Sequence, residues 1–574
     1  MSRSALISLL ACIALAFPLV VGRFCFGHFD AFAHNDDFLY ARTTEILVEE
    51  GRYQHVSQHG QLAASIASHC VWGALVCGPL GFSWNNLHLA VAIGAWVGAV
   101  CVYLAARELK GSHSIAFLAA MAMTVGPFYY GMSFTFMTDV TAAVFASLAV
   151  FGYVRGVMRQ SMGWMLFGAI GASLALWARQ THLCVVAIPT IALVGIAWSE
   201  RSFRGVIAPL AFACGVPIAS LLLYQSGLLL PSDEGRVGIV DVDSYDSTWL
   251  RQLVLFAYAG GLLIGLVTLP VAPLVWSGLL SRKVTRGWSV WLGGGLVFVV
   301  WGGLFVVSTG RAFLTQATGY IVYNAHLGPI LLGDQNDPGR WSDMGDIRWP
   351  GIIWQVATVL AIFSLAGLAA KAIDDLMGGW RASSEHAVEE NHVRRRWVLI
   401  GLLGCSLAAA VGLLAYVEMV YDRYWMLLYP MVFTWLGSQV NLKALMSGSR
   451  QRLVWASSFT TASILFAVSF VFVHDFLAWN HERRAQCEAW LAEGLEPKDF
   501  DAGNGINGWY RAHEDLETFP RDGDETHFWR GLATHALAIG PREGWHVVDK
   551  RRWRSWAIMR DSELFVLERD DAKE

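Results

Sequence analysis

Long apolar runs separated by short polar stretches fill the chain to about residue 473. The first run, Ser4–Gly22, follows Arg3 and lacks a convincing small-residue cleavage site. Many similar runs follow it, so it reads as a retained anchor rather than a cleaved leader. The later runs are Asn86–Ala106, Ser114–Gly131, Val140–Val154, Gly163–Ala178, Leu183–Trp198, Val206–Leu230, Leu253–Trp276, Val290–Ser308, Gly351–Ala370, Val398–Val417, Trp425–Val440 and Val454–Val473. A bilayer-crossing helix needs about 20 predominantly apolar residues, so the pattern predicts about thirteen spans.

Leu62–Phe82 is apolar enough to be a further span, and charge decides against it. Short cytoplasmic loops collect Lys and Arg. If the run does not cross and the N-terminus is cytoplasmic, one side of the membrane receives every compact basic cluster. These are Arg107/Lys110, Arg155/Arg159, Arg201/Arg204, Arg282/Lys283/Arg286, Lys371 with Arg394–Arg396, and Lys443/Arg450/Arg452. The run is therefore expected to lie along the outer interface or to re-enter. Three outer segments result: residues 23–85, 231–251 and 309–350.

The predicted architecture is an all-α polytopic membrane domain over residues 1–473, with interfacial helices in the first outer loop. A small α/β extracytoplasmic domain over 474–574 follows. In that tail Ser555–Arg569 reads as a hairpin, with its turn at Asp561-Ser-Glu. The inner segment Lys371–Arg396 reads as a solvated linker, and no internal repeat is evident.

Composition agrees with this picture. Of 574 residues, 55% are hydrophobic and 15% charged, with a mean hydropathy of +0.43. Soluble domains carry about 25% charged residues, so soluble, disordered and collagen-like classes are excluded. A net charge of −4 with no long basic run offers nothing to a nucleic-acid backbone. Six of the nine cysteines lie inside apolar runs, and Cys25, Cys70 and Cys487 have no paired or ligand-like spacing, so no disulfide framework or zinc site is expected.

The candidate chemistry sits at one end of the spans. His34-Asn-Asp-Asp-Phe-Leu-Tyr-Ala places Asp36 and Asp37 about a dozen residues after the first span, at the start of a helical pattern over Phe38–Glu50. An isolated acidic pair there would simply cap the helix and complement its dipole. Asp139 opens a span, Arg179-Gln180 joins two spans, and Tyr421-Asp-Arg-Tyr-Trp precedes another. Taken singly, these are an N-cap and snorkelling arginines. Taken together, all four clusters share the outer face, so one cavity could gather carboxylates and guanidinium groups.

With Tyr40-Ala41 following the acidic pair in register, this order resembles the integral-membrane GT-C glycosyltransferases of the aminoarabinose transferase and protein O-mannosyltransferase type. Asp139, Arg179, and Arg423-Tyr424 ahead of Pro430 resemble later members of the same pattern, although Val140 stands where a proline often follows the acidic residue. The resemblance is close over roughly the first two hundred residues and looser beyond. It implies an inner-membrane enzyme, with a cytoplasmic N-terminus, that moves a sugar from a polyprenyl-phosphate donor to a hydroxyl of a glycolipid, polysaccharide or protein. The residues it implies are Asp36, Asp37 and Asp139 as catalytic carboxylates, and Tyr40, Arg179, Arg423 and Tyr424 as substrate-binding groups.

Direct displacement at the anomeric carbon calls for a base on the attacking hydroxyl, assigned to Asp36. It also calls for positive charge on the departing phosphate, assigned to Arg179 and Arg423. Asp139 would orient the acceptor or Asp36. Magnesium or manganese could bridge Asp36 and the phosphate, but no ligand set demands either metal. His55, His59 and His69 match no metal-ligand spacing and read as polar groups of an interfacial loop. Trp341, Trp349, Trp509 and Tyr510 could stack on sugar rings. The glycine-rich stretch Asp501–Tyr510 reads as a turn. The competing class is a transporter or flippase, which would show repeated halves and midplane charges. Glu418 is the nearest approach to such a charge.

Overall fold

The structure is a computed structural model. It describes residues 2–570 except 28, 30–31, 34–36, 55–65, 227–248, 282–286, 308–350, 383–389, 417–421, 439–448, 512–532, 539 and 558. Asp36, His55, His59, Trp341, Trp349 and Glu418 therefore lie outside the described residues.

Two short helices, α1 (Arg3–Ala14) and α2 (Phe17–Phe26), together make a 24-residue apolar stretch. Pro18 falls in the first turn of α2, where its missing N–H removes no helical bond. Next come α3 (Asp37–Glu50), α4 (Ala67–Leu80), α5 (Trp84–Glu108), α6 (His113–Val125), α7 (Pro127–Met132), α8 (Thr138–Arg159) and α9 (Met162–Ala178). A 3-10 turn over Gln180–Val186 leads into α10 (Ala187–Glu200). The bundle continues through α11 (Ile207–Ser226), α12 (Trp249–Val267), α13 (Ala272–Ser281), α14 (Gly287–Val307), α15 (Gly351–Ala382) and α16 (Glu390–Tyr416). A second 3-10 turn, Asp422–Leu428, precedes α17 (Tyr429–Gly437).

Among the described residues eight helices are long and apolar enough to cross a membrane, or nine if one bent pair counts as a single span. The chain is a multi-pass membrane protein. Several predicted runs are broken rather than straight. Gly126-Pro127 divides one into α6 and α7, and α12 and α13 meet at an 89° bend. With 14 residues, α4 is shorter than a span requires.

The core is built around α8, and small residues let its neighbours approach. A Cβ on Gly152 of α8 would lie 2.5 Å from the backbone nitrogen of Gly168 on α9. Helix faces meeting at small residues in this way are the usual solution in lipid, where apolar burial gives helices little reason to associate.

The two ends of the bundle differ. At one end Glu108 receives Arg155 at 3.5 Å and Arg159 at 2.5 Å, and Arg395 Nε donates to the Leu109 carbonyl at 2.8 Å. Lys371, Asp374 and Arg394 are buried there, and Trp435 Nε1 donates to Asp375 at 3.1 Å. Within 371–396, expected to be a solvated linker, the described side chains at 371–377 and 390–396 belong to the packed ends of α15 and α16. Lys371 pairs with Asp375 and Arg394 with Glu390 along their own helices, while Arg395 and Asp375 reach neighbouring elements.

At the other end, α18 (Ser449–Ala492) runs unbroken for 44 residues through position 473 and becomes the first element of the tail. Strands β1 (Phe500–Asp501), β2 (His535–Ala538), β3 (Trp545–Ser555) and β4 (Arg560–Arg569) form a sheet in the order β1-β2-β4-β3, and α19 (Asn504–Arg511) lies between β1 and β2 in sequence. The β3–β4 hairpin is present, but its strands turn between Ser555 and Arg560 and not at Asp561-Ser-Glu. Asp561 and Glu563 instead face Arg554 and Arg552 across the strands. The turn is fixed from below. The buried Asp475 carboxylate accepts from Ser555 Oγ at 2.5 Å and from the Trp556 and Ala557 amides at 2.7 and 3.1 Å.

Candidate active site

Four distant stretches converge at the end of the bundle that carries the tail. The ledge between α7 and α8, Ser133–Met137, is wholly buried and joins them. Asp37 opens α3, is fully buried, and accepts from the Phe136 amide at 3.3 Å through Oδ2. One turn of helix later in α8, Thr141 Oγ1 lies 2.9 Å from His69 Nδ1, and His69 Nε2 lies 2.9 Å from the Phe136 carbonyl. A carbonyl only accepts, so Nε2 carries the proton and Nδ1 accepts from the Thr141 hydroxyl. Burial pushes the His69 imidazole down to about 4, so it is neutral in this role.

Asp139, in the first turn of α8, is the electrostatic centre. Its Oδ1 takes a charge-assisted hydrogen bond from Arg179 Nη1, and its Oδ2 lies 3.6 Å from Arg423 Nε. Arg179 caps α9, and Arg423 stands in the 3-10 turn before α17. Tyr424 closes the group: the Arg179 guanidinium lies 4.4 Å from its ring centroid and that of Arg423 5.7 Å. Burial is the largest influence on Arg179 and works against its charge, but the Asp139 carboxylate together with Tyr424 and Tyr40 raises the guanidinium above its ordinary value. Thr138 Oγ1 and His182 Nε2 are buried beside this cluster with no partner among the described residues. Trp425 is seated by Gly260 of α12, where a Cβ would lie 2.0–2.4 Å from the indole ring.

Of the predicted residues, Asp139, Arg179, Arg423 and Tyr424 form one cluster. Asp37 and Tyr40 lie against its edge on α3, the Tyr40 ring meeting His69 edge-on at 5.8 Å between centroids. Asp36 lies outside the described residues. Asp139 does more than cap a helix, since both of its oxygens face guanidinium groups. His69 was expected in an interfacial loop; it is buried on α4 between the two acidic elements. Only its position within an apolar run, unlike His55 and His59, could have marked it out. Among the described residues no three His, Cys, Asp or Glu side chains gather as metal ligands.

Residues 75–224 match the family model for dolichyl-phosphate-mannose-protein mannosyltransferases. The chain does resemble the GT-C membrane glycosyltransferases. The matched segment is about a quarter of the chain and contains Asp139 and Arg179. Solved GT-C structures cover more of the length at low identity. ArnT from Cupriavidus metallidurans in the apo state is 15% identical over 97% of this chain and 98% of that one, with a TM-score of 0.42. The same protein bound to undecaprenyl phosphate is 14% identical over 99% and 98%, with a TM-score of 0.41. The archaeal oligosaccharyltransferase AglB from Archaeoglobus fulgidus, in complex with an inhibitory peptide and a dolichol-phosphate, is 12% identical over 85% and 58%, with a TM-score of 0.44. No curated protein matches the chain.

Proposed function

We propose that the protein transfers a sugar from a polyprenyl-phosphate donor to a hydroxyl acceptor at the outer boundary of the plasma (inner) membrane. The observation that carries this reading is the sharing of one buried carboxylate, Asp139, by two arginines from distant elements. Two guanidinium groups from distant elements are thereby held side by side at a water-poor site. An incoming lipid phosphate would meet these forked donors, and the phosphate leaving the anomeric carbon would be stabilised by them. The unpartnered Thr138 and His182 atoms add polar groups for a ligand beside them.

Asp36 is the base that takes the acceptor proton, and Asp37, engaged by the Phe136 amide, holds the start of α3 in place. Asp139 aims the arginines, a role different from orienting the acceptor. Tyr40 and Tyr424 flank the sugar-phosphate path. The outer location rests on charge: Arg155, Arg159 and Arg395 gather at the opposite end of the bundle, the end expected in the cytoplasm. A lipid donor can then enter sideways while a polar acceptor arrives from water. ArnT has been captured with undecaprenyl phosphate and AglB with a dolichol-phosphate, and a polyprenyl donor for this chain follows their chemistry.

The test is donor affinity. In reconstituted protein Arg179→Ala and Arg423→Ala are each expected to weaken binding of a polyprenyl phosphate by about tenfold or more, the scale of one lost charge-assisted contact. Unchanged affinity in both variants overturns the phosphate assignment.

A further inference from the structure

The glycine-rich stretch of the tail does more than turn the chain. Asp501 Oδ1 accepts from the Gly503 amide at 3.1 Å and from Asn507 Nδ2 at 3.0 Å, and Asn507 Oδ1 accepts from the Ala502 amide at 2.8 Å. The buried Arg483 of α18 donates through Nε to the Ala502 carbonyl at 3.1 Å. These bonds close a rigid corner from which α19 projects onto α3. At the contact a Cβ on Gly508 would sit 2.3–2.5 Å from three carbons of the Phe38 ring, and Phe38 is the residue after Asp37. Beside it the Trp509 ring lies 4.6 Å from the Arg42 guanidinium, one turn further along α3.

Phe32, ahead of α3 in the chain, is held by the same elements. Asn480 Nδ2 donates to the Phe32 carbonyl at 3.1 Å, and the Phe32 ring packs at 5.8 Å from Tyr510 and 6.3 Å from Trp509. Trp509 also meets Trp84, at the start of α5, at 5.1 Å. The helix opened by Asp37 is thus clamped from the tail side by α19 and from the bundle side by the Phe136 ledge.

We infer that α19 is a positioning element for the acidic helix: Gly508 sets how closely α3 approaches, and the Trp509–Arg42 contact sets its rotation. The catalytic consequence rests on the function proposed above; the mechanical claim does not. The test compares wild type, Gly508→Ala, Trp509→Leu and the double variant Gly508→Ala/Phe38→Leu in reconstituted full-length protein. Hydrogen exchange of α3 amides and transfer kinetics with a polyprenyl-phosphate sugar are both measured.

Gly508→Ala is expected to speed exchange in α3 while leaving α8 and the β3–β4 hairpin unchanged. It is expected to lower kcat by up to about a hundredfold, the effect of an ångström-scale misplacement, with donor KM within about twofold. Phe38→Leu, by making room, is expected to restore both. Trp509→Leu serves the same purpose if Gly508→Ala does not fold. Wild-type exchange in α3 for the folded variants overturns the inference. Exchange that rises equally throughout the protein also overturns it, because that marks simple destabilisation. If wild type consumes no polyprenyl-phosphate sugar, the proposed function fails, and α3 exchange alone still decides the mechanical claim.

Discussion

Replacing Asp139 by Asn keeps the volume and one acceptor but removes the charge that Arg179 and Arg423 share. At 3.6 Å the attraction between Asp139 and Arg423 is about 4–5 kcal/mol for an effective dielectric of about 20. The closer Arg179 contact is at least comparable. These are gross attractions, opposed by desolvation of each ion. Measured losses on removing one partner of a buried pair are about 3–5 kcal/mol, because the survivors stay buried and uncompensated. Here two survivors would also repel each other. Asp139→Asn is therefore expected to lower the thermal midpoint in detergent. It should also reduce turnover by at least about a hundredfold, which corresponds to roughly 3 kcal/mol. Added polyprenyl phosphate should raise the midpoint more in the variant than in wild type, since the phosphate then supplies the missing negative charge. A variant with the wild-type midpoint and turnover, or with no extra gain from the lipid phosphate, would refute the reasoning.

Three other outcomes are expected. The folded protein keeps His69 neutral down to about pH 4, whereas an unfolded imidazole takes up its proton near pH 6.5. The unfolded state thus binds more protons between these values, and stability should fall as pH drops through the window, by up to about 1.4 kcal/mol per pH unit. His69→Gln should flatten that slope in thermal unfolding at pH 4–7, and an unchanged slope would show that another group titrates. Gly260→Ala should displace Trp425 and with it the Arg423-Tyr424 turn, weakening donor binding more than it lowers the thermal midpoint. Asp475→Ala removes the acceptor for Ser555, Trp556 and Ala557, so limited proteolysis should cut the β3–β4 turn in the variant and spare it in wild type.

The apolar runs and the residues that cluster at their ends were legible in the sequence because both depend on local composition. Asp139, Arg179 and Arg423-Tyr424 each stand at the end of an apolar run. Sidedness alone was enough to propose that they meet, although Asp139 and Arg179 are 40 residues apart. Which oxygen faces which arginine is a property of helix packing, and no spacing encodes it. His69 was misread for the same reason: its partners lie 67 and 72 residues away, and spacing among neighbouring histidines is informative only for a metal. The extension of α18 past residue 473 was hidden because hydropathy falls where the helix leaves the apolar run, while helical geometry continues. Trp556-Ala-Ile-Met has the composition of a strand, but the strand ends at Ser555, because the Asp475 carboxylate accepts from the Trp556 and Ala557 amides, which a sequence window does not see. Gly508, read as one of several turn glycines, is needed for a close approach to Phe38 that only the folded chain reveals.

The most direct measurement is turnover of polyprenyl-phosphate sugars by purified protein in vesicles, wild type beside Asp36→Asn, with lipid-phosphate binding followed in the same preparations. The account predicts sugar transfer or slow release by wild type. For Asp36→Asn it predicts loss of all but a few per cent of that rate, with donor binding retained. Full activity in Asp36→Asn, or no turnover of any such donor by a folded wild-type protein, would contradict it.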